Sequence, residues 1–136
     1  MTSVLCASCQ VASSTPVAQT HATAPARTAE TRDSPAAKAI QSYLQARVER
    51  NANKAVALSC ADWEKRARVE VDSLRSDAKL EGLVCHEAGA SGAFTLVACS
   101  GKILTSYSGE TRELDLSQRQ FRAAFQAGEW LMCGYQ

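Results

Sequence analysis

The sequence predicts an α+β domain, with helices in its first half and an antiparallel sheet after them. Between Pro35 and Leu74 apolar residues recur at helical spacing, whereas beyond Asp77 they alternate as in strands. Four cysteines accompany these elements. The chain has 136 residues, 46% of them hydrophobic and 21% charged, a composition typical of one soluble domain with a modest core.

Residues 1–33 are predicted to form a disordered tail. From Gln10 to Asp33 the chain is rich in Ala, Ser, Thr, Gln and Pro and has almost no bulky apolar residue. Such a segment cannot bury enough surface to offset the entropy lost on ordering. We therefore interpret it as a spacer and expect the folded domain to span residues 34–136.

Two or three helices are predicted next. Ser34 is a good N-cap and Pro35 suits the first helical position, where its missing N–H costs nothing. An apolar stripe follows, formed by Ala37, Ile40, Leu44 and Val48. Asn51 can end this helix and Asn53 can cap the next. Ser59 and Asp62 are spaced like a capping box before a second stripe, formed by Trp63, Ala67, Val71 and Leu74.

The second half predicts a curved four-stranded antiparallel meander with the helices on one face. Its strands are expected at Leu80–Cys85, Phe94–Tyr107, Leu114–Phe125 and Glu129–Tyr135. Glycine-containing turns separate them.

The four cysteines of the domain predict two disulfides and hence an oxidising compartment. They are Cys60, Cys85, Cys99 and Cys133. A zinc site would bring a closely spaced ligand pair, which is missing here, and buried free thiols are the other alternative. Element lengths favour Cys60–Cys85 with Cys99–Cys133, although the latter strands are not neighbours in a plain meander. The alternative, Cys85–Cys99 with Cys60–Cys133, uses adjacent strands in poor register.

Four blocks of the sequence resemble small bacterial lipoprotein-type domains of unknown function. They are Cys60-Ala61-Asp62-Trp63-Glu64, Leu80-Glu81-Gly82-Leu83-Val84-Cys85, Cys99-Ser100-Gly101-Lys102-Ile103 and Gly128-Glu129-Trp130-Leu131-Met132-Cys133-Gly134-Tyr135. The helical hairpin followed by long strands resembles the cystatin-like cone of the nuclear transport factor 2-like superfamily. This resemblance, over residues 35–136, implies a cone between helices and sheet and an envelope location. It implies no activity, because the superfamily contains enzymes, binding domains and interaction modules.

The extreme N-terminus resembles the end of a lipoprotein signal. In Cys6-Ala7-Ser8-Cys9 the residue to be lipidated would be Cys9, although Cys6 stands where Leu is usual and no apolar stretch precedes it. No apolar run reaches the ~20 residues of a spanning helix, so any membrane tether would be the lipid alone. We expect an extracytoplasmic protein, lipid-anchored or secreted.

No catalytic residue, metal or cofactor is predicted. His86 is the only histidine of the domain and is interpreted as a solvated residue near a hairpin end. The acidic candidates Asp62, Glu64, Asp115 and Glu129 are explained by capping, a wet helix face and strand ends. Trp63 and Trp130 are interpreted as core, and Lys102 and Tyr107 lie either on a groove or on a wet strand face.

The predicted function is a non-enzymatic ligand-binding or protein-interaction module, with the alternative of a small-molecule isomerase or dehydratase that uses the cone. The partner would be a protein or a small apolar ligand, and the molecule a monomer or dimer. A formal net charge of +1 provides no electrostatic footprint for nucleic acid. Tyr43, Tyr107 or Asp115 in an internal pocket would favour the enzyme, and a cone filled with apolar side chains would oppose it.

Overall fold

The computed structural model describes residues 33–136, which form three α-helices followed by an open five-stranded antiparallel sheet. The helices are α1 Pro35–Val48, α2 Ala52–Ala57 and α3 Glu64–Asp72. The strands are β1 Lys79–Ser91, β2 Phe94–Tyr107, β3 Glu110–Asp115, β4 Gln120–Gln126 and β5 Glu129–Tyr135. The predicted α+β class is confirmed. The predicted tail, residues 1–33, falls outside the described residues except for Asp33.

Helix α1 begins and ends at defined caps. The Ser34 hydroxyl oxygen accepts a 3.0 Å hydrogen bond from the backbone N–H of Ala37, and Pro35 follows at the first turn, as predicted. At the other end Arg50 takes a left-handed conformation, with φ of 55°. The N–H groups of Arg50 and Asn51 bond back to the carbonyls of Arg47 and Ala46, the pattern of a Schellman cap.

The predicted caps of the second and third helices are wrong. Asn51, not Asn53, caps α2, because its side chain accepts from the Lys54 N–H at 3.0 Å. Ser59 does not cap α3, because its hydroxyl donates to the Ala55 carbonyl at 2.7 Å. A 3-10 turn over Ala61–Trp63 leads into α3 instead, and no side chain caps that helix.

The strand order is β1-β2-β4-β5, with β3 also paired to β2. The far half of β2 pairs with β3 and its near half pairs with β4. The predicted third strand is therefore two strands, and the predicted count of four is wrong. The break is a 3-10 turn over Leu116–Gln118, where Asp115 accepts from the Ser117 N–H at 2.8 Å and Leu116 turns into the core.

The core lies between the helices and one face of the sheet. Helix α1 packs across this face, and α3 packs against α1 and α2. The largest fully buried side chains are those of Tyr43, Phe121, Ile40, Leu44, Ile103, Leu116 and Met132. Among residues 33–136, no helix has both the length and the apolar character needed to cross a membrane.

Candidate functional site

The four cysteines of the domain form two disulfides, Cys85–Cys99 and Cys60–Cys133. The prediction of two disulfides is confirmed. The favoured pairing is wrong, and the alternative pairing is the observed one. The two disulfides indicate an oxidising, extracytoplasmic environment.

The Cys85–Cys99 bond depends on a β-bulge. Near the β1–β2 turn, Ser91 pairs with Phe94. If this register continued along both strands, the side chains of Cys85 and Cys99 would lie on opposite faces of the sheet. The bulge between Glu87 and Gly89 shifts the register by one residue. Cys85 then lies directly opposite Cys99, with 4.1 Å between the Cα atoms, and both face the core.

The Cys60–Cys133 bond attaches the helical region to the edge strand β5. The backbone between Leu58 and Cys60 runs beside Met132, with reciprocal hydrogen bonds of 2.8 Å from Cys60 N–H to Met132 and from Met132 N–H to Leu58. A parallel bridge between Ser59 and Met132 results. This segment covers the edge of β5 and brings the Cα atoms of Cys60 and Cys133 to 5.0 Å.

The structure separates the predicted polar candidates from one another. His86 lies inside β1 opposite Ala98, not near a hairpin end, because β1 continues to Ser91. Asp62 is exposed and caps no helix. Asp115 caps the 3-10 turn after β3, where hydrogen bonds from Ser117 lower the pKa of its carboxyl. Within residues 33–136, no three His, Cys, Asp or Glu side chains are arranged to hold a metal ion.

Both tryptophans pack against the core, as predicted. The Trp63 ring meets Tyr135 edge-to-face at 5.2 Å between centroids. Trp130 is half-buried and its ring centroid lies 5.5 Å from that of Phe125. Lys102 is half-buried on the sheet face away from the helices and forms an ion pair with Glu113 at 2.9 Å.

The sequence analysis did not predict a buried hydrogen-bond network around a carboxylate. Glu70 on α3 is 6% exposed and accepts hydrogen bonds from the hydroxyls of Tyr43, at 2.9 Å, and Tyr135, at 2.8 Å. Arg47 on α1, 5% exposed, places its Nε 3.4 Å from the same carboxylate. The spacing could have indicated its burial, because Glu70 stands three residues after Ala67 of the apolar stripe and so lies on nearly the same face of α3.

This Glu70 network joins two helices to the last strand. Trp63 adds to it by donating from Nε1 to the Tyr43 hydroxyl oxygen at 3.2 Å. Burial, followed by the nearby Glu70 charge, raises the pKa of Tyr43, so this hydroxyl stays a donor at all ordinary pH values. Both tyrosine hydroxyls are hydrogen-bonded to the carboxylate, whereas the buried Arg47 Nε is held by the ion pair alone and has no hydrogen-bond partner in residues 33–136. The network lies among core side chains and ties α1 and α3 to β5.

A polar pocket of about 400 Å³ opens to solvent where the end of α3 meets the end of β2. We call it the Tyr107 pocket. Its lining includes Arg50, Asp72, Ser73, Arg75, Ser76 and Tyr107. The sequence analysis gave two alternatives for Tyr107, a groove or a solvent-exposed strand face. In the structure its side chain lines a groove.

Positive charge surrounds the aromatic wall of this pocket. The guanidinium carbons of Arg75 and Arg112 lie 4.8 Å and 4.9 Å from the centroid of the Tyr107 ring. Arg50 reaches the pocket from the turn after α1. The net charge of the whole chain is only +1, so this concentration of arginine is a local feature.

A second open groove, of about 440 Å³, lies on the sheet face away from the helices. Glu81, Glu113 and Asp115 line it together with Lys102 and two glycines. Its one cation is already paired with Glu113. The acidic groove therefore offers carboxylates without a second feature that points to a ligand.

Comparisons with known proteins leave the family open. No family model matches the chain, and no curated protein gives a significant match. The chain is similar to the solved structure of the helical cell shape determining protein Pgp2 from Campylobacter jejuni, with a TM-score of 0.47 and 7% identity. The similarity covers 72% of this chain and 38% of that protein. Such a similarity supports no statement about fold or function, so the resemblance to the nuclear transport factor 2-like superfamily stays a prediction.

Proposed function

We propose that this domain is a non-enzymatic extracytoplasmic binding module that holds a small polar ligand in the Tyr107 pocket. The observation that supports this most directly is the placement of polar groups. The region between α1 and the sheet is occupied by buried side chains such as Ile40, Leu44 and Phe121. The open, polar concavity with an exposed aromatic wall lies at the surface instead.

The enzyme alternative loses support from the same placement. Of the residues that would favour it, Tyr43 is buried and bonded to Glu70, whereas Tyr107 and Asp115 line two different surface grooves. A proton-transfer site needs an acid and a base within reach of one substrate. The lining of the Tyr107 pocket is mainly polar, so we propose a polar ligand in place of the small apolar one that the sequence predicted.

A screen of small-molecule ligands by thermal unfolding tests this function. A ligand present at ten times its Kd adds about 1.4 kcal/mol of stability, which raises Tm by about 5 °C for a domain of this size. We expect at least one polar ligand to do so with the wild type and not with Tyr107→Ala. Phe125→Ala is the control, because Phe125 is also exposed, at 60%, but lies on the β4–β5 hairpin.

Two outcomes would contradict the proposal. One is a ligand that stabilises wild type and Tyr107→Ala equally, because the pocket would then not hold it. The other is turnover of a ligand found in the screen, which would establish the enzyme alternative.

We further propose that the domain has the cystatin-like cone architecture and is held at the envelope by a lipid on Cys9. The order of helices before an antiparallel sheet supports the first part, and the disulfides are in keeping with the second. Cys9 lies outside the described residues. Metabolic labelling of the full chain with a fatty acid, compared with Cys9→Ala, tests the anchor; equal labelling of both would exclude Cys9.

A further inference from the structure

We propose that the Tyr107 pocket is a binding site for a phosphate group. This inference rests on the proposed function and names the chemistry of the ligand. Its basis is a set of three guanidinium groups, two of which line the pocket, Arg50 and Arg75, while Arg112 lies against its aromatic wall. Guanidinium groups present several N–H donors in a planar fork that matches phosphate oxygens.

None of these three arginines forms a close ion pair with a carboxylate of residues 33–136, although hydrogen bonding from Ser106 and, to a smaller extent, the charge of Arg75 lower the pKa of Asp77. In residues 33–136, ion pairs are formed by Arg47, Arg66, Lys54 and Lys102. Arg50, Arg75 and Arg112 form none within the same span. Arg75 and Arg112 both lie within about 5 Å of the Tyr107 ring centroid, so two like charges repel each other there, and an anion bound in the pocket beside Arg75 offsets that repulsion.

The backbone at Arg50 places its side chain at the end of α1, beside the pocket. Arg50 holds the left-handed position of the Schellman cap, where glycine is the common residue. Ser108 and Ala127 take the same conformation in turns of the sheet, so the conformation serves the turn and the pocket lining is what points to Arg50. The consequence is that a second guanidinium reaches the pocket from the turn after α1, far in sequence from Arg75.

The remaining polar groups favour phosphate over a carboxylate. Ser73 already donates its hydroxyl proton to the Glu70 carbonyl at 2.7 Å. The Ser76 hydroxyl makes no hydrogen bond within residues 33–136 and lines the pocket. Two guanidinium forks and one hydroxyl approach the pocket from separate parts of the chain, and donors spread in this way suit the tetrahedral oxygens of phosphate better than the planar oxygens of a carboxylate.

One carboxylate in the lining repels a bound anion, so its removal should strengthen phosphate binding, whereas removal of an arginine should weaken it. Asp72 is the last residue of α3, where a negative charge is already unfavourable to the helix dipole. Asp72→Asn removes this repulsion without changing the size of the side chain. The variant should therefore bind phosphate more tightly than the wild type does.

Calorimetric titration of the disulfide-bonded protein with inorganic phosphate and glycerol 3-phosphate tests the site. We expect Arg50→Gln and Arg75→Gln each to weaken binding about 10- to 100-fold, as expected for loss of a charge-assisted hydrogen bond. Arg112→Gln should weaken it less, because Arg112 lies against the Tyr107 ring and outside the lining. Arg68→Gln is the matched control, an exposed arginine on α3 outside the pocket, and should bind as the wild type does. Circular dichroism confirms folding, and Arg75→Lys, which keeps the charge, should fall between Arg75→Gln and wild type.

A second arm identifies the source of the phosphate. Phosphatidylcholine vesicles with and without phosphatidylglycerol are added to wild type and Arg75→Gln. Binding that requires both phosphatidylglycerol and Arg75 assigns a lipid headgroup, and binding of glycerol 3-phosphate alone assigns a soluble ligand. Absence of binding in both arms, or equal weakening by Arg68→Gln, overturns the proposal. A neutral ligand that requires Tyr107, with no phosphate binding, overturns the phosphate assignment and leaves the binding-module proposal standing.

Discussion

At the scale of single residues, the buried carboxylate of Glu70 has the largest consequences. An ionised carboxylate in a core is costly unless it is paired and hydrogen-bonded. Here two tyrosine hydroxyls donate to it, and Arg47 lies 3.4 Å away as the countercharge. Because these partners come from α1 and β5, satisfying one charge aligns two helices with the last strand.

Tyr43 makes this network sensitive to alkaline pH. Burial raises the pKa of its hydroxyl, whereas in the unfolded chain it ionises near the ordinary value of 10.0. Above about pH 10 the unfolded state loses a proton that the folded state keeps, so the free energy of unfolding falls as pH rises. The contribution of Tyr43 is thus complete below that pH and lost above it.

We predict that Tyr43→Phe flattens this alkaline slope, by up to about 1.4 kcal/mol per pH unit, while lowering stability near pH 7 by about 1 kcal/mol for the lost hydrogen bond. Urea unfolding between neutral pH and about pH 11 measures both effects. An unchanged slope in the variant would show that another group controls the alkaline transition.

At the scale of elements, the β1–β2 pair is shaped by its irregularities. One bulge, between Glu87 and Gly89, brings two cysteines to the same face. A second lies between Glu81 and Val84, and there the strands approach so closely that Gly101 has no room for a side chain. A Cβ at Gly101 would stand 2.5 Å from the Glu81 carbonyl oxygen. Bulges of this kind also twist the exposed edge of β1 and so discourage pairing with another chain.

We predict that Gly101→Ala lowers the free energy of unfolding by about 3 kcal/mol, because backbone strain and a clash with backbone atoms act together. Gly109→Ala is the control, since Gly109 also has a positive φ, of 84°, but nothing lies within 4 Å of the added carbon. It should lose only about 1 kcal/mol. Chemical denaturation compares the two, and equal losses would argue against the close approach of β1 and β2.

At the scale of the whole molecule, the two disulfides hold the chain together over different distances. Cys85–Cys99 joins adjacent strands over 14 residues, whereas Cys60–Cys133 joins the helical region to the last strand over 73 residues. A cross-link stabilises chiefly by reducing the entropy of the unfolded chain, and the reduction grows with the length of the loop.

We predict that replacing both cysteines of Cys60–Cys133 by Ala costs about 4 kcal/mol, and replacing both of Cys85–Cys99 about 3 kcal/mol. The two double variants serve as controls for each other, because each retains one disulfide. Thermal and urea unfolding give the order of the losses. The reverse order would mean that packing around the buried Cys85 and Cys99 outweighs loop length.

Local signals in the sequence were sufficient for several features of this protein. The start of α1 at Ser34 and the oxidised cysteines followed from capping chemistry and composition, as did the order of helices before an antiparallel sheet. These features depend on residues close together in the chain or on their overall number. The sequence therefore determined the class of the fold and the compartment that the disulfides require.

Only the tertiary structure decided which distant residues meet. A single bulge reversed the faces of β1 and so selected the disulfide pairing, and one inserted turn at Leu116 divided a strand in two. The sequence analysis did not single out Glu70, and its burial and its partners on α1 and β5 became known only with the packing. The Tyr107 pocket likewise joins Arg50 and Arg75 from separate parts of the chain, with Arg112 of β3 against its aromatic wall. Such contacts depend on strand register and helix packing, which long-range interactions set and local sequence patterns do not encode.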